Sequence, residues 1–419
     1  MTEQKTSFEG ERKNIFEKYV SPQYIFRNDR EMLRPSYVPR TLPHREKEID
    51  QLAGVISPSL KGNRPSNVLI FGKTGTGKTA TVRFVASEAL KMNGTAKLNF
   101  IYVNCCEIDT NYAILQHVIN RLVENPEERA PYNGWSLERL YSVFREILNR
   151  REELLILILD ELDRLVYKSG DDLLYNLTRM NDDMEKSKIT LIGIANDLKF
   201  TDYLDARVRS RLSEERIVFS PYNAGELSDI LKARCELVFY PEALETDVIP
   251  LCSALAAQEH GDARRALELL RVAAEYAERA GERKVTTSHV MMAKNKIELD
   301  TVTEAVRTLP FQSKLLLLSV VMQSETKKVM TTGDIYATYH NLCDSLGVVA
   351  LTQRRIGDLV SELDMLGIVR ARVRSFGRGG RTREIELSVP LNETREVLAS
   401  DELLGQYKST RLRMQTTLI

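Results

Sequence analysis

The chain has 419 residues, 43% of them apolar, and carries 59 lysines plus arginines against 59 aspartates plus glutamates, a formal net charge of zero. That length predicts roughly two or three domains with packed cores, and the balance excludes a global field for nucleic acid or membrane, so any such surface is local. No apolar run approaches membrane-spanning length, the N-terminus scatters Lys5, Glu9, Glu11, Arg12 and Lys13 where a signal peptide needs an apolar stretch, and five cysteines never form C-x-x-C; a soluble cytoplasmic chain with reduced thiols, no disulfide framework and no zinc site is expected.

Residues 67–71 predict a buried first strand, and it runs into Gly72-Lys73-Thr74-Gly75-Thr76-Gly77-Lys78-Thr79, a complete G-x-x-x-x-G-K-[ST] phosphate loop, followed by Ala80. Glycines at 72, 75 and 77 let successive backbone N–H groups curl round phosphates, and a helix starting near Lys78 aims its positive end at them. The pattern predicts ATP/ADP binding with Mg²⁺: Lys78 reaches the β and γ oxygens and Thr79 holds the metal. Residues 100–103 predict a second strand. The helical stretch after it is broken at Asn125-Pro126 and again at 131–134, which reads as an insertion. Residues 154–159 are six consecutive aliphatics ending in Asp160-Glu161, the pattern of a central parallel strand buried on both faces. Asp160 is expected to hold the Mg²⁺ water shell, and Glu161 to orient or deprotonate the attacking water. A fourth strand, 189–194, ends at Asn196, placed to sense the γ-phosphate. Arg207, Arg209 and Arg211 alternate along one short stretch, so they cannot all face one partner. Most are expected to be solvated and one, Arg211 by its place in the Ser-Arg pair, to serve a neighbouring subunit as an arginine finger. A fifth strand covers 217–219.

From Tyr222 to about residue 300 the pattern is helical, with Leu227, Ile230 and Leu231 on one face, then Val248, Ile249 and Leu251, then Leu255 and Ala256. Gly261-Asp262 opens the best of these helices and leaves Arg264 in its first turn, where it can reach back to the γ-phosphate as a second sensor. In the last third, 331–346 and a helix beginning near Thr352 with Ile356, Leu359, Val360, Leu363 and Leu366 inward make a helix-turn-helix. Arg370, Arg372, Arg374, Arg378, Arg381 and Arg383 follow with no acid among them, around a Gly377-Arg378-Gly379-Gly380 turn, predicting the basic hairpin of a winged helix. Gln353, Arg354 and Arg355 are expected to meet the major groove of double-stranded DNA. Arg372, Arg374, Arg378 and Arg381 are expected to meet its phosphates. The tail from Asn392 is mixed in charge, and 408–419 lacks periodicity and is expected to fray.

The order of phosphate loop, Asp-Glu strand, sensor asparagine, arginine box, helical lid and G-D-x-R resembles an AAA+ ATPase of the initiator and clamp-loader branch. Tyr37-Val38-Pro39-Arg40, Leu42-Pro43-His44-Arg45-Glu46, Pro221-Tyr222-Asn223 and the run from Glu259 through Leu267 closely resemble the archaeal Orc/Cdc-type replication initiators. The resemblance implies an initiator that binds ATP, marks origin DNA, helps recruit the replicative helicase, works beside other initiator subunits on the nucleoid, and uses weak ATP hydrolysis as a switch. It also implies that adenine lies between Val38, Pro39 and Arg45 on one side and Tyr222 on the other, with Arg234 as a further nucleotide contact and the 105–134 region as a second DNA contact. The expected fold is an α/β core with a five-stranded parallel sheet (αβα), an all-α lid and an α+β winged helix. Expected boundaries are an N-terminal segment 1–35, core 36–220, lid 221–300, winged helix 301–395 and tail 396–419. Two other readings stay open: a clamp-loader subunit, against which the arginine hairpin argues, and a transcription regulator in which the ATPase core controls the winged helix.

Overall fold

The computed structural model describes residues 24–92, 97–184, 186–375 and 381–407. The first 23 residues, the 377–380 turn with Arg378, and the tail from Lys408 lie outside the described residues. The chain forms two compact units, Met1–Met291 and Met292–Ile419, and divides inside a single helix.

The first unit begins with helix α1 (Glu46–Ile56), strand β1 (Val68–Gly72), α2 (Lys78–Lys91), β2 (Leu98–Asn104), α3 (Asn111–Leu122), α4 (Leu137–Arg151) and β3 (Leu154–Asp160). It continues with α5 (Leu162–Ser169), α6 (Asp172–Met180), β4 (Lys188–Ala195), α7 (Ala206–Leu212) and β5 (Glu215–Phe219). All five strands are parallel, in the order β2-β3-β4-β1-β5. β3 shows why such a strand reads as a continuous apolar run: Leu155, Leu157 and Leu159 join the core on one face of the sheet, while Ile156 and Ile158 join the core on the other. The interrupted stretch after β2 forms the amphipathic pair α3 and α4, whose Ile114, Val118, Leu140 and Phe144 complete the first of these cores. Asn120 ties the connecting segment down by accepting from the Ala130 N–H and donating to its carbonyl.

Three further helices, α8 (Ala224–Val238), α9 (Val248–Gln258) and α10 (Ala263–Arg279), follow the sheet. Asn223 and Glu226 close a capping box at the start of α8, and Asp262 caps α10. In α9 the buried positions are Val248, Cys252, Ser253 and Ala256, not Ile249 and Leu251. A spacing of four returns to one face of a helix, whereas adjacent positions lie about 100° apart.

Helix α11 (Thr287–Thr308) spans the division between the units and therefore also the expected 300/301 boundary. The second unit is built round α12 (Phe311–Ser324), buried almost all round from Leu315 to Met322. β6 (Met330–Thr331), α13 (Thr332–Leu346), α14 (Gln353–Met365), β7 (Val369–Ser375), β8 (Arg381–Leu387) and α15 (Leu391–Ala399) enclose it, with an antiparallel sheet ordered β6-β8-β7. Ile356, Leu359, Val360 and Leu363 of α14 point inward. Leu366, expected with them, is 54% exposed because the helix has ended at Met365. The expected 395/396 boundary falls inside α15, and Leu398 and Leu404 beyond it are buried in the same core.

Candidate nucleotide-binding site and nucleic-acid interface

The sheet order explains the site. β4 lies between β1, which ends in the phosphate loop, and β3, which ends in the two acids, so Asn196 at the end of β4 falls between the two motifs. Lys78 Nζ donates to the carbonyls of Gly72 (2.6 Å) and Lys73 (2.7 Å) and to Asn196 Oδ1 (2.9 Å). The ammonium is buried, these three acceptors are neutral, and burial pushes its pKa down to about 8 against the opposing pull of Asp160. Thr79 Oγ1 donates to Asp160 Oδ2 at 2.7 Å, joining the loop to β3. Lys73 and Thr74 are exposed at the loop's tip.

Glu161 has a left-handed backbone (φ 55°), and its Oε2 accepts from Cys106 Sγ at 2.7 Å and lies 3.3 Å from Arg164 Nε. The hydrogen bond to Glu161 raises the Cys106 pKa and keeps the thiol a donor. The Asn196 N–H donates to Asp163 Oδ2 at 3.2 Å, while the buried Asp163 Oδ1 has no partner among the described residues.

The helices after the sheet close over the loop. Ala263 N–H donates to the Gly75 carbonyl at 3.1 Å, and a Cβ on Gly75 (φ 70°) would stand 1.6 Å from Asp262 Oδ1. Between loop, lid and the 35–43 segment is a cavity of about 550 Å³. Tyr37, Val38, Pro39, Tyr222, Ile230 and Leu267 line its apolar part, and residues 75–80, Arg83 and Arg264 its polar end. Arg45 lies outside this lining: its guanidinium donates to the carbonyls of Thr76 (2.9 Å), His44 (2.9 Å) and Ser220 (2.7 Å) and stacks 3.8 Å from the Tyr222 ring centroid. Arg234 borders the cavity, but its guanidinium donates to the carbonyls of Met32 (3.1 Å) and Tyr37 (3.2 Å), fixing the segment that carries Val38 and Pro39.

In α7 Val208 and Leu212 are buried, and Arg207, Arg209 and Arg211 are exposed. The Arg211 carbonyl accepts from Asn67 Nδ2 (2.8 Å) just before β1 begins, so Arg211 stands at the sheet edge opposite the phosphate loop. Five strand residues separate the two edges, about 16 Å at strand rise. The side chain pairs with Asp182 at 3.2 Å on the surface, an ion pair of little energetic worth.

In the second unit, Gln353, Arg354 and Arg355 occupy the exposed first turn of α14, capped by Thr352. Register in the hairpin sorts the arginines. Arg370 stands opposite Glu386, Arg372 opposite Glu384 and Arg374 opposite Thr382, so these three share one face with two acids that come later in the sequence. Arg374 pairs with Glu384. Arg383 falls on the other face, toward the core, and donates to the Gly357 carbonyl (2.9 Å) and Ser361 Oγ (2.7 Å) of α14. Replacing Arg383 by alanine is therefore expected to destabilise this unit by about 1–3 kcal/mol in urea unfolding while leaving the salt dependence of DNA binding unchanged. A salt slope lower by one unit would show that Arg383 contacts phosphate instead. Arg381 belongs to β8, and Arg378 lies outside the described residues.

Tyr102, Asp163 and Cys106 are site residues that sequence reasoning misses. Tyr102 has one usable signal, its place near the end of a strand beside the Asp-Glu strand, and that signal needs the strand order. Cys106 and Asp163 carry no local pattern.

A parallel-sheet core with a phosphate loop, a helical lid and a separate winged-helix unit define an ATPase-type chain with an appended winged helix. Family models agree element by element: "ATPase family associated with various cellular activities (AAA)" over residues 68–220, "Cdc6 AAA+ ATPase-type lid domain" over 228–295 and "CDC6, C terminal winged helix domain" over 304–397. The ORC1-type DNA replication protein of Thermococcus kodakarensis is 50% identical over 408 residues, covering 97% of this chain and 98% of that protein. ORC1-type DNA replication protein 1 of Methanosarcina acetivorans is 50% identical over 392 residues, covering 92% and 93%. The chain belongs to the ORC1-type DNA replication protein family of archaea. The Aeropyrum pernix ORC1 protein, solved in complex with DNA, superposes with a TM-score of 0.79 at 43% identity, over 92% of this chain and 99% of that one. Among the described residues no helix is long and apolar enough to cross a membrane.

Proposed function

We propose that this chain is an ATP-controlled initiator that binds chromosomal origin DNA as a duplex and helps recruit the replicative helicase, with slow hydrolysis as its switch. The nucleotide part of the reading rests on Lys78: a buried ammonium held by neutral oxygens at a helix N-terminus fits a polyphosphate, which would supply the missing anion. The cavity's volume of about 550 Å³ suits a nucleotide, and its apolar wall of Val38, Pro39 and Tyr222 suits a base. Thr79 and Asp160, already joined, have the oxygen chemistry that Mg²⁺ prefers, and Mg²⁺ there would neutralise phosphate charge. Glu161 is the base for water, Asn196 bridges loop and acids, and Arg264 faces the phosphate end. Arg45 and Arg234 act behind the site, holding the Tyr222 ring and the 37–39 segment in place.

The DNA part rests on the exposed arginines of α14 and β7 in a chain 43% identical to an ORC1 protein solved with DNA. Chromosome-wide footprinting in the host tests the whole: occupancy should concentrate at one or a few origins. Occupancy spread across many promoters would favour a transcription regulator, and none at all a clamp-loader subunit.

Arg211 cannot reach its own phosphate loop from the opposite edge of the sheet, so it serves a neighbouring initiator subunit. Hydrolysis should rise with protein concentration on DNA, and Arg211→Ala should lose that rise. Mixing Arg211→Ala with Glu161→Gln should restore it, because each lends what the other lacks. Full stimulation of Arg211→Ala by itself would remove the assignment.

A further inference from the structure

We propose that Tyr102 is a positioning residue for the Mg²⁺ carboxylate, setting how much Mg²⁺ the nucleotide site needs; this rests on the nucleotide reading above. Among the described residues three donors hold the Asp160 carboxylate: Thr79 Oγ1 at 2.7 Å and the Tyr102 hydroxyl at 2.8 Å on Oδ2, and the Glu161 N–H at 3.0 Å on Oδ1. Their duties differ. The Thr79 oxygen is itself a metal ligand, and the Glu161 amide belongs to the backbone next to the base. Tyr102 reaches the carboxylate from the neighbouring strand, β2, through its hydroxyl alone. Its ring is fixed in turn by Arg83, whose guanidinium carbon lies 4.1 Å from the ring centroid. Arg83 sits on α2 one turn beyond Thr79 and lines the cavity. The ring thus bridges the cavity wall and the metal carboxylate.

A carboxylate that meets a cation's water shell works best when its rotamer is already fixed, and outer partners of this kind typically change metal affinity about 10- to 100-fold when removed. The test is binding of AMP-PNP by calorimetry, first in EDTA and then with Mg²⁺ added stepwise. Tyr102→Phe keeps the ring and its Arg83 stacking and removes only the hydroxyl. The Mg²⁺ concentration giving half of the affinity gain should rise about tenfold, with affinity in EDTA unchanged. Tyr102→Leu, which also releases Arg83, should shift it at least as far. An unchanged Mg²⁺ requirement in Tyr102→Phe, or equal losses with and without Mg²⁺, would overturn the proposal while leaving the nucleotide reading intact. If the unmutated protein binds no AMP-PNP in either condition, the nucleotide reading itself fails and takes this proposal with it.

Discussion

Replacing Lys78 by alanine is expected to weaken ATP binding about 100-fold, whereas Glu161→Gln should bind ATP normally and hydrolyse it at least about 100-fold more slowly. The asymmetry follows from what each side chain meets. Lys78 is the buried cation of the phosphate loop, and on the proposed reading it compensates charge in the bound ground state, so its removal is read in Kd. Among the described residues the Glu161 carboxylate is engaged by Cys106 and Arg164, with no hydrogen bond or ion pair to the loop. On the proposed reading it acts on the attacking water, so its loss is read in hydrolysis. Equilibrium binding and single-turnover hydrolysis on the two variants separate the roles, and normal turnover by Glu161→Gln would reduce that acid to a helix cap.

Neutralising Arg354 and Arg355 together is expected to narrow the gap between origin and scrambled duplex, each bidentate arginine–guanine pair being worth roughly 1–3 kcal/mol of discrimination. Neutralising Arg372 and Arg374 should weaken both duplexes alike and lower the salt slope by about one unit for each phosphate that is no longer neutralised. Glu384, which pairs with Arg374 and stands opposite Arg372, tempers that face, so Glu384→Gln should strengthen binding to both duplexes. Titrations at several salt concentrations decide it. A wing variant that loses selectivity at constant salt slope would reverse the roles.

The phosphate loop, the five strands and the helix-turn-helix were legible in the sequence because each is a local pattern: glycines where φ turns positive, aliphatic runs where a strand is covered on both faces, a heptad-like face where a helix is covered on one. What stayed hidden depends on neighbours distant in sequence. Arg45 and Arg234 are expected as nucleotide contacts, but the carbonyls of Thr76, Ser220, Met32 and Tyr37 that their guanidinium groups also meet could not be read from the sequence. The six hairpin arginines read as one basic ribbon until strand pairing turned Arg383 inward and set Glu384 and Glu386 on the face of Arg370, Arg372 and Arg374. β6, two residues long, and the buried helix α15, across an expected tail boundary, carry too little periodicity to be seen before their partners are known.

The seat of Asp262 against Gly75 makes position 75 a steric gauge of how the lid meets the loop. Any side chain larger than hydrogen at position 75 would therefore push the first turn of α10 off the loop and change the shape of the cavity between them.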